Sequence, residues 1–245
     1  EGYTKAAITV VDKFSNKNLE VQANSVNVLG LSDFYYNGTA DRKEICRLLK
    51  MVGYKINAIP GSGSSLEDLE KLGAAGLNIV CNEELGLKLA KHLEKVFGTP
   101  YVVVGMPYGI EGTQDWLERI HKVLPCENLQ AVKEEGKELL ERLIAQGNDY
   151  RGVWGSLWFD NVILAAPGTQ ALCMAQALRK EWADMGELTV ICQHAVKTAD
   201  YCDVADKVLV VGKDAAEIES LLQNAEDVLL FASSSQASVL RRNRL

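Results

Sequence analysis

A thiol stands at the end of an apolar run in the stretch LNIVCNEELG, which covers residues 77–86. Cys81 follows four residues that are typical of a buried strand, and Asn82 with two glutamates after it is typical of a helix start. A thiolate in this position could bind a metal cluster. Cys81 could equally be a small residue that packs at the end of a strand. The residue types alone leave both interpretations open.

Two further stretches carry residues that could do chemistry, and both signals are weak. The loop GSGSS at 61–65 could bind an anion through its backbone N–H groups, but it is neither a dinucleotide fingerprint nor a Walker loop. A flexible strand-to-helix turn is the alternative. His194 has Cys192 two residues before it and Cys202 eight residues after it. Cys202 lies in a separate segment, so this spacing gives little support to a metal site.

The composition excludes several classes of function. The chain of 245 residues has a net charge of −7, which argues against a nucleic-acid groove. No apolar run reaches the length of about 18 residues that a membrane helix needs. Six cysteines without a C-x-x-C pair give no local zinc signature, and they favour the reducing cytoplasm. Because Glu1 stands inside a helix-like run, we expect an excised piece of a longer polypeptide.

Apolar runs without alternation are separated by amphipathic helical runs, which is typical of a parallel sheet covered on both faces. We therefore predict an α/β fold with two doubly wound, parallel-sheet, Rossmann-like units. The predicted domains are 1–127 and 128–245, the second of them truncated. A polar helix is predicted over 128–146, where a glycine-rich and aromatic stretch breaks it, and the strands resume at Asn161.

In open parallel sheets, ligands bind beyond the carboxyl ends of the strands. In the first unit this rule selects the loops at 32–33, 61–64, 81–83 and 105–109. In the second unit it selects 167–169, 193–194, 212–213 and 233–235. Tyr35 and Tyr36 follow the first of these loops and either line a cleft or cap the sheet.

Several segments, taken in order, resemble the component 1 proteins of the nitrogenase group. They are VNVLGL, EICRLLKMVGYKINAIPGSGSSLEDLEKLGAAGLNIV, LAKHLEKVFGTPYV and PYGIEGTQDWLERI. The resemblance covers 25–121 well and the second half more loosely, through NVILAAPGTQALCMAQAL and KVLVVGKDAAEIESLL. That group includes the molybdenum–iron protein subunits, the scaffold for their cofactor, and the dark protochlorophyllide reductases.

The resemblance implies a polypeptide of three Rossmann-like units, of which this chain supplies the second and part or all of the third. Members of the group receive electrons from an ATP-dependent iron–sulfur reductase and work beside a homologous component 1 subunit, as hetero- or homo-oligomers. An iron–sulfur or molybdenum–iron type cluster is implied for the full-length complex, and none is expected in the fragment.

The resemblance also assigns candidate residues. In the cofactor-binding polypeptide of nitrogenases, a cysteine just after LN-x-V binds the cluster, and that ligand falls on Asn82, one place after Cys81. Neighbouring strand residues face opposite ways, so this departure puts cluster ligation by Cys81 in doubt. The loop GMPYGIEGT matches the border of the cofactor pocket, yet it carries no Arg or Lys. The candidate cofactor-binding residues, in a cleft between the two units, are Ser32, Ser62, Cys81, Asn82, Tyr108 and Gly109, with Cys81 as the candidate metal ligand.

Three functions follow as hypotheses. The first is a fragment of a nitrogenase-like oxidoreductase that positions a metal cofactor or substrate for reduction, inactive by itself. The alternative is a non-catalytic assembly scaffold or small-molecule binding protein on the same fold. A nucleotide-dependent enzyme that uses the GSGSS loop is the third.

Overall fold

The computed structural model describes residues 2–16, 18–154, 158–194 and 203–233. The chain divides into two compact units. The first comprises Glu1–Pro107 and Thr113–Glu138, and the second comprises Tyr108–Gly112 and Leu139–Leu245. The domain bounds predicted from the sequence, 1–127 and 128–245, stay a prediction. Among the described residues, none of the helices combines the length and the apolar composition of a membrane-spanning segment.

The first unit is built on a four-stranded parallel sheet in the order β2-β1-β3-β4. Its strands are β1 (Ser25–Leu29), β2 (Lys55–Ala58), β3 (Leu77–Val80) and β4 (Tyr101–Val103). The five residues of β1 and the four of β3 are all buried, as expected for inner strands covered on both faces. The register pairs Leu29 with Val80, so the ends of β1 and β3 lie side by side.

The four longer helices around these strands each bury apolar side chains, whereas the five-residue helix has no fully buried residue. In chain order the five helices are α1 (Gly2–Phe14), α2 (Gly38–Met51), α3 (Leu66–Glu70), α4 (Glu83–Phe97) and α5 (Ile110–Val123). In α4, Gly86, Leu89, Ala90 and Leu93 recur at helical spacing and are buried. The helix ends at Gly98, whose φ of 73° is a conformation that favours glycine.

The second unit is built on another four-stranded parallel sheet, in the order β7-β6-β5-β8. Its strands are β5 (Trp158–Ala166), β6 (Asp184–Cys192), β7 (Lys207–Val210) and β8 (Val228–Phe231). Val162 and Leu164 pack in the core that includes α7 (Gly168–Ala177). Ile163 and Ala165 pack in a separate core with Leu222 of α8 (Ala215–Gln223). The predicted α/β fold with two parallel sheets is therefore confirmed.

Two boundaries differ from the prediction. The helix predicted over 128–146 is α6 (Gln130–Trp154), which continues through Gly147. A glycine inside a helix costs about 1 kcal/mol relative to alanine but keeps its backbone hydrogen bonds, so the helix need not end there. β5 consequently begins at Trp158 rather than at Asn161. The helical run predicted at the end of the sequence lies outside the described residues.

The helix predicted after β5 is shorter than its sequence pattern indicates. α7 ends at Ala177 and a π-helical turn follows, Leu178–Trp182. β6 already begins at Asp184, although the helical pattern extends beyond it. The π-helical turn carries Glu181, whose carboxylate accepts a hydrogen bond from the first residue of α5.

Candidate functional site

The ends of β1 and β2 bring two of the predicted residues close together. Ser32 and Ser62 are 6% and 1% exposed. The Ser62 hydroxyl donates a hydrogen bond of 2.7 Å to Asp33 Oδ1, and Ser32 Oγ accepts one of 3.2 Å from the Phe34 backbone N–H. Neighbouring parallel strands end at the same edge of the sheet, as the sequence analysis assumed. Both hydroxyls therefore belong to one polar cluster at that edge.

Arg42 of α2 adds a positive charge that the sequence analysis missed. Its Nε lies 3.7 Å from Asp33 Oδ1. That nitrogen is buried and has no hydrogen-bond partner among the described residues. Gly63 has a φ of +77°, and a Cβ there would overlap the Arg42 guanidinium. The loop at 61–65 is therefore shaped by the side chain that packs against it.

Two phenols border the same edge and stay protonated well above neutral pH. The Tyr3 hydroxyl donates to the Pro60 carbonyl at 3.1 Å, and burial, then the Asp33 carboxylate, raises the pKa of Tyr3. Burial raises the pKa of Tyr35 to about 12, with smaller contributions from Glu84 and Tyr3. Both side chains can therefore serve as hydrogen-bond donors at physiological pH.

The serines of the GSGSS loop are used by the chain itself. Ser62 donates to Asp33, and Ser64 Oγ accepts a bond of 2.7 Å from the Ile59 backbone N–H. Ser65 and Asp68 form the predicted capping box at the start of α3. These contacts favour a hydrogen-bonded turn over a phosphate site, because the hydroxyls are engaged in the fold.

Cys81 and Asn82 follow β3 and are both buried, at 0% and 1% exposure. The Cys81 backbone N–H donates to the Leu29 carbonyl at 2.9 Å. Asn82 Nδ2 donates to the Gly30 carbonyl at 2.7 Å. Gly30 has a φ of +86°, and a Cβ there would lie 2.6 Å from the Asn82 carbonyl oxygen. The two strand ends are thus in direct backbone contact.

The oxygen of the Asn82 side-chain amide is an unsatisfied hydrogen-bond acceptor. Its Oδ1 is buried and has no hydrogen-bond partner among the described residues. Asn82 is the residue before α4, yet its side chain makes no capping bond to that helix. A buried acceptor without a partner costs free energy, and each such atom needs an explanation. A ligand with an N–H or O–H group, or a metal ion, would satisfy it.

The donor set at this edge does not match a metal cluster. The groups identified above are hydroxyls, phenols, the Asn82 amide, the Asp33 carboxylate and the Arg42 guanidinium, with the single thiol of Cys81. Within the described ranges no group of three or more His, Cys, Asp or Glu side chains could hold a metal ion. Cys81 as a metal ligand stays a prediction, and its complete burial favours a packed side chain.

Tyr108 and Gly109, the other two candidates, belong to the second unit. Beside them the Glu181 carboxylate accepts backbone N–H bonds from Ile110 at 2.6 Å, Glu111 at 3.0 Å and Gly112 at 3.3 Å. These residues begin α5, whose positive end favours an anion. A Cβ at Gly109 would overlap the Glu181 carboxylate. No sequence signal pointed to Glu181, which lies about 70 residues away.

The weak metal-site candidate at the end of β6 comprises Cys192, His194 and Cys202. Cys192 is the last residue of β6 and is buried, whereas His194 is exposed beyond the strand. Cys202 lies outside the described residues. Of the five described cysteines, Cys81, Cys173 and Cys192 are buried, whereas Cys46 and Cys126 are half-buried.

Comparison with known proteins gives the chain its family. The family model for nitrogenase component 1 type oxidoreductases matches residues 1–245. The B subunit of the light-independent protochlorophyllide reductase of Huperzia lucidula is 29% identical over 230 residues, which is 89% of this chain and 44% of that protein. Its counterpart from Nostoc punctiforme is 25% identical over 231 residues, with the same coverage.

The fold is shared with a solved structure of nitrogenase Cp1 at pH 6.5. The TM-score is 0.76 at 18% identity, over 100% of this chain and 56% of that one. The chain thus spans about half the length of the relatives that it matches. With a family match over its whole length and the same fold, the chain belongs to the nitrogenase component 1 type oxidoreductases.

Proposed function

We propose that this chain is part of a component 1 subunit that positions a metal cofactor or a substrate for reduction. The electrons would come from an ATP-dependent iron–sulfur partner, and a homologous component 1 subunit would complete the assembly. Family membership supports the reductive chemistry. The names of the relatives, which are subunits of a light-independent protochlorophyllide reductase, support an assembly of several chains. A cytoplasmic location, where thiols stay reduced, is part of the proposal.

The observation that carries the proposal is the unsatisfied Asn82 Oδ1. It lies at the residue onto which the resemblance maps the cluster ligand of nitrogenases. The candidate binding set is Ser32, Ser62, Cys81, Asn82, Tyr108 and Gly109. The buried amide and hydroxyls suit hydrogen bonds to a bound group, since buried polar groups contribute most when each is paired.

A bound group would supply the electron-accepting chemistry, and the residues of this chain would hold and orient it. Asn82 is fixed by its bond to Gly30, so its oxygen has a defined direction. The Tyr35 phenol keeps its proton to about pH 12 and can donate a hydrogen bond at neutral pH. Ser62 holds the Asp33 carboxylate in place.

A second function, a non-catalytic scaffold or small-molecule binding protein, has one observation in its favour. The described residues contain no group of three or more His, Cys, Asp or Glu side chains that could hold a metal ion. Such a protein would bind its ligand through the same edge without accepting electrons.

Anaerobic purification of the polypeptide that contains this chain separates the two functions. Iron and acid-labile sulfide are measured, together with ATP-dependent oxidation of the reductase partner. The oxidoreductase proposal expects ATP-dependent electron acceptance. A preparation without iron that accepts no electrons from any reductase partner would contradict it and leave the scaffold.

The role of Cys81 is tested by comparing Cys81→Ser with Cys173→Ser, a buried thiol of the second unit. If Cys81 ligates metal, its variant loses iron that the Cys173 variant retains. Equal iron content in both variants would remove the thiol from the proposal.

A further inference from the structure

A groove of about 320 Å³ opens on the second sheet. Six of its eleven lining residues are polar, and the other five are apolar. The polar residues are Asn161, Glu187, Thr189, Ser220, Asn224 and Glu226. The apolar ones include Val162, Ile163, Leu221 and Val228.

The groove exists because a short helix covers long strands. β5 and β6 have nine residues each and span about 30 Å, whereas the nine residues of α8 span only about 14 Å. α8 packs over Ile163, Ala165 and Ile191. Its last turn lines the groove, and Asn161 and Glu187, nearer the starts of β5 and β6, are exposed.

The strand register places three polar side chains on one face of the sheet. Asn161 of β5 pairs with Glu187 of β6, and Ile163 pairs with Thr189. Because side chains alternate between faces, Glu187 and Thr189 point to the same side, as do Asn161 and Ile163. This is the face on which α8 packs, beside the core that contains Ile163 and Leu222.

Thr189 places a hydroxyl group in the lining of the groove. The residue is 9% exposed, and it lines the groove. Its hydroxyl makes no side-chain hydrogen bond within the described part of the chain, and neither do the side chains of Asn161, Glu187 and Glu226. Because solvent in the groove still reaches this hydroxyl, it is available to hydrogen-bond to a bound ligand.

We propose that this groove binds a small organic cation, a guanidinium or primary ammonium group on a short alkyl chain. The Glu187 and Glu226 carboxylates can only accept hydrogen bonds, so they require a donor-rich partner. The Thr189 hydroxyl and the Asn161 amide add further acceptors. Leu221 and Val228, which pack on the α8 side of the sheet, provide an apolar surface for the alkyl part. The volume suits a molecule rather than a bare ion.

The test titrates the chain with agmatine, a butyl guanidinium with a terminal amine, and follows backbone amide signals by NMR. N-butylurea serves as the neutral analogue of similar shape. Agmatine is expected to give saturable shifts at Asn161, Glu187 and Thr189, and N-butylurea none at the same concentration. Glu187→Gln should weaken agmatine binding about tenfold, and Thr189→Val about threefold.

Glu219→Gln is the matched control, because it removes the same charge from an exposed position of α8 outside the groove. It should change the affinity less than twofold. The proposal is overturned if no saturable shifts occur, or if Glu219→Gln weakens binding as much as Glu187→Gln. Tighter binding of a Gly-Arg-Gly peptide than of agmatine would also overturn the proposal, because it would indicate that the groove binds an arginine side chain of a protein rather than a small molecule.

Discussion

The Ser62 hydroxyl donates a hydrogen bond of 2.7 Å to Asp33 Oδ1, which ties the loop after β2 to the loop after β1. Ser62 is 1% exposed, while the Asp33 side chain is 41% exposed. A buried donor thus meets a carboxylate that water still reaches. The edge of the first sheet is held together by this bond and by the Arg42 contact to the same oxygen.

Removing the Ser62 hydroxyl should destabilise the chain modestly. Ser62→Ala is expected to lower the free energy of unfolding by about 1 kcal/mol, since partial exposure of Asp33 weakens a charge-assisted bond. Urea unfolding of Ser62→Ala, Asp33→Asn and the double variant measures the coupling between the two. Strictly additive effects would show that the bond contributes nothing to stability.

Gly30 and Gly98 give a matched pair, because both have positive φ but only one is crowded. A Cβ at Gly30 meets the Asn82 backbone, whereas a Cβ at Gly98 meets nothing within 4 Å. Gly98→Ala should cost about 1 kcal/mol, which is the effect of the left-handed conformation alone. Gly30→Ala should cost more than about 3 kcal/mol, because the strand ends must separate. Equal losses in thermal unfolding would refute the close contact.

Asn82→Asp should produce a pH-dependent loss of stability. The new carboxylate would be buried and would face the Gly30 carbonyl, so burial raises its pKa in the folded state. The new carboxyl group therefore ionises more readily in the unfolded chain than in the folded chain. The substitution lowers the free energy of unfolding by about 3 kcal/mol at pH 7, and this loss shrinks as the pH falls through the folded-state pKa.

Chemical unfolding between pH 4 and 7 measures this effect, with Asn18→Asp as the exposed control. The control should stay within about 0.5 kcal/mol of the parent at every pH. A stable Asn82→Asp chain with no pH dependence would mean that the position is open to water.

Tyr35 should reduce stability at alkaline pH. Burial raises its pKa in the folded chain from 10.0 to about 12. The protonated phenol therefore makes its full contribution to the free energy of unfolding below pH 10. Between pH 10 and 12 the unfolded chain releases the phenolic proton first, and the free energy of unfolding falls. Tyr35→Phe should make this decline shallower, while Tyr36→Phe, at a residue 94% exposed, should not. An unchanged slope in Tyr35→Phe would contradict the shift.

The sequence predicts those parts of the fold that local patterns encode. The Ser65–Asp68 capping box and the end of α4 at Gly98 follow from residue types a few positions apart. The apolar runs of β1 and β3 identify inner parallel strands in the same way. Each of these features has a short-range physical cause, so spacing is enough to find it.

Long-range polar contacts could not be predicted in this way. Asn57 Nδ2 donates to Asn27 Oδ1, and Asn27 Nδ2 donates to Asn78 Oδ1, which forms a chain of amides across β2, β1 and β3. The Ser62 bond to Asp33 is of the same kind. The partners in each of these contacts are far apart in the sequence, and their meeting depends on strand order. No motif in a single sequence specifies that order.

The position of Asn82 Oδ1 relative to a bound group tests the proposed site most directly. The measurement is a structure of the anaerobically purified polypeptide that contains this chain, with its homologous partner and whatever group it retains. We predict that an atom of that group lies within about 3.5 Å of Asn82 Oδ1. A group bound elsewhere, with Asn82 Oδ1 contacted by protein or water alone, would contradict the account.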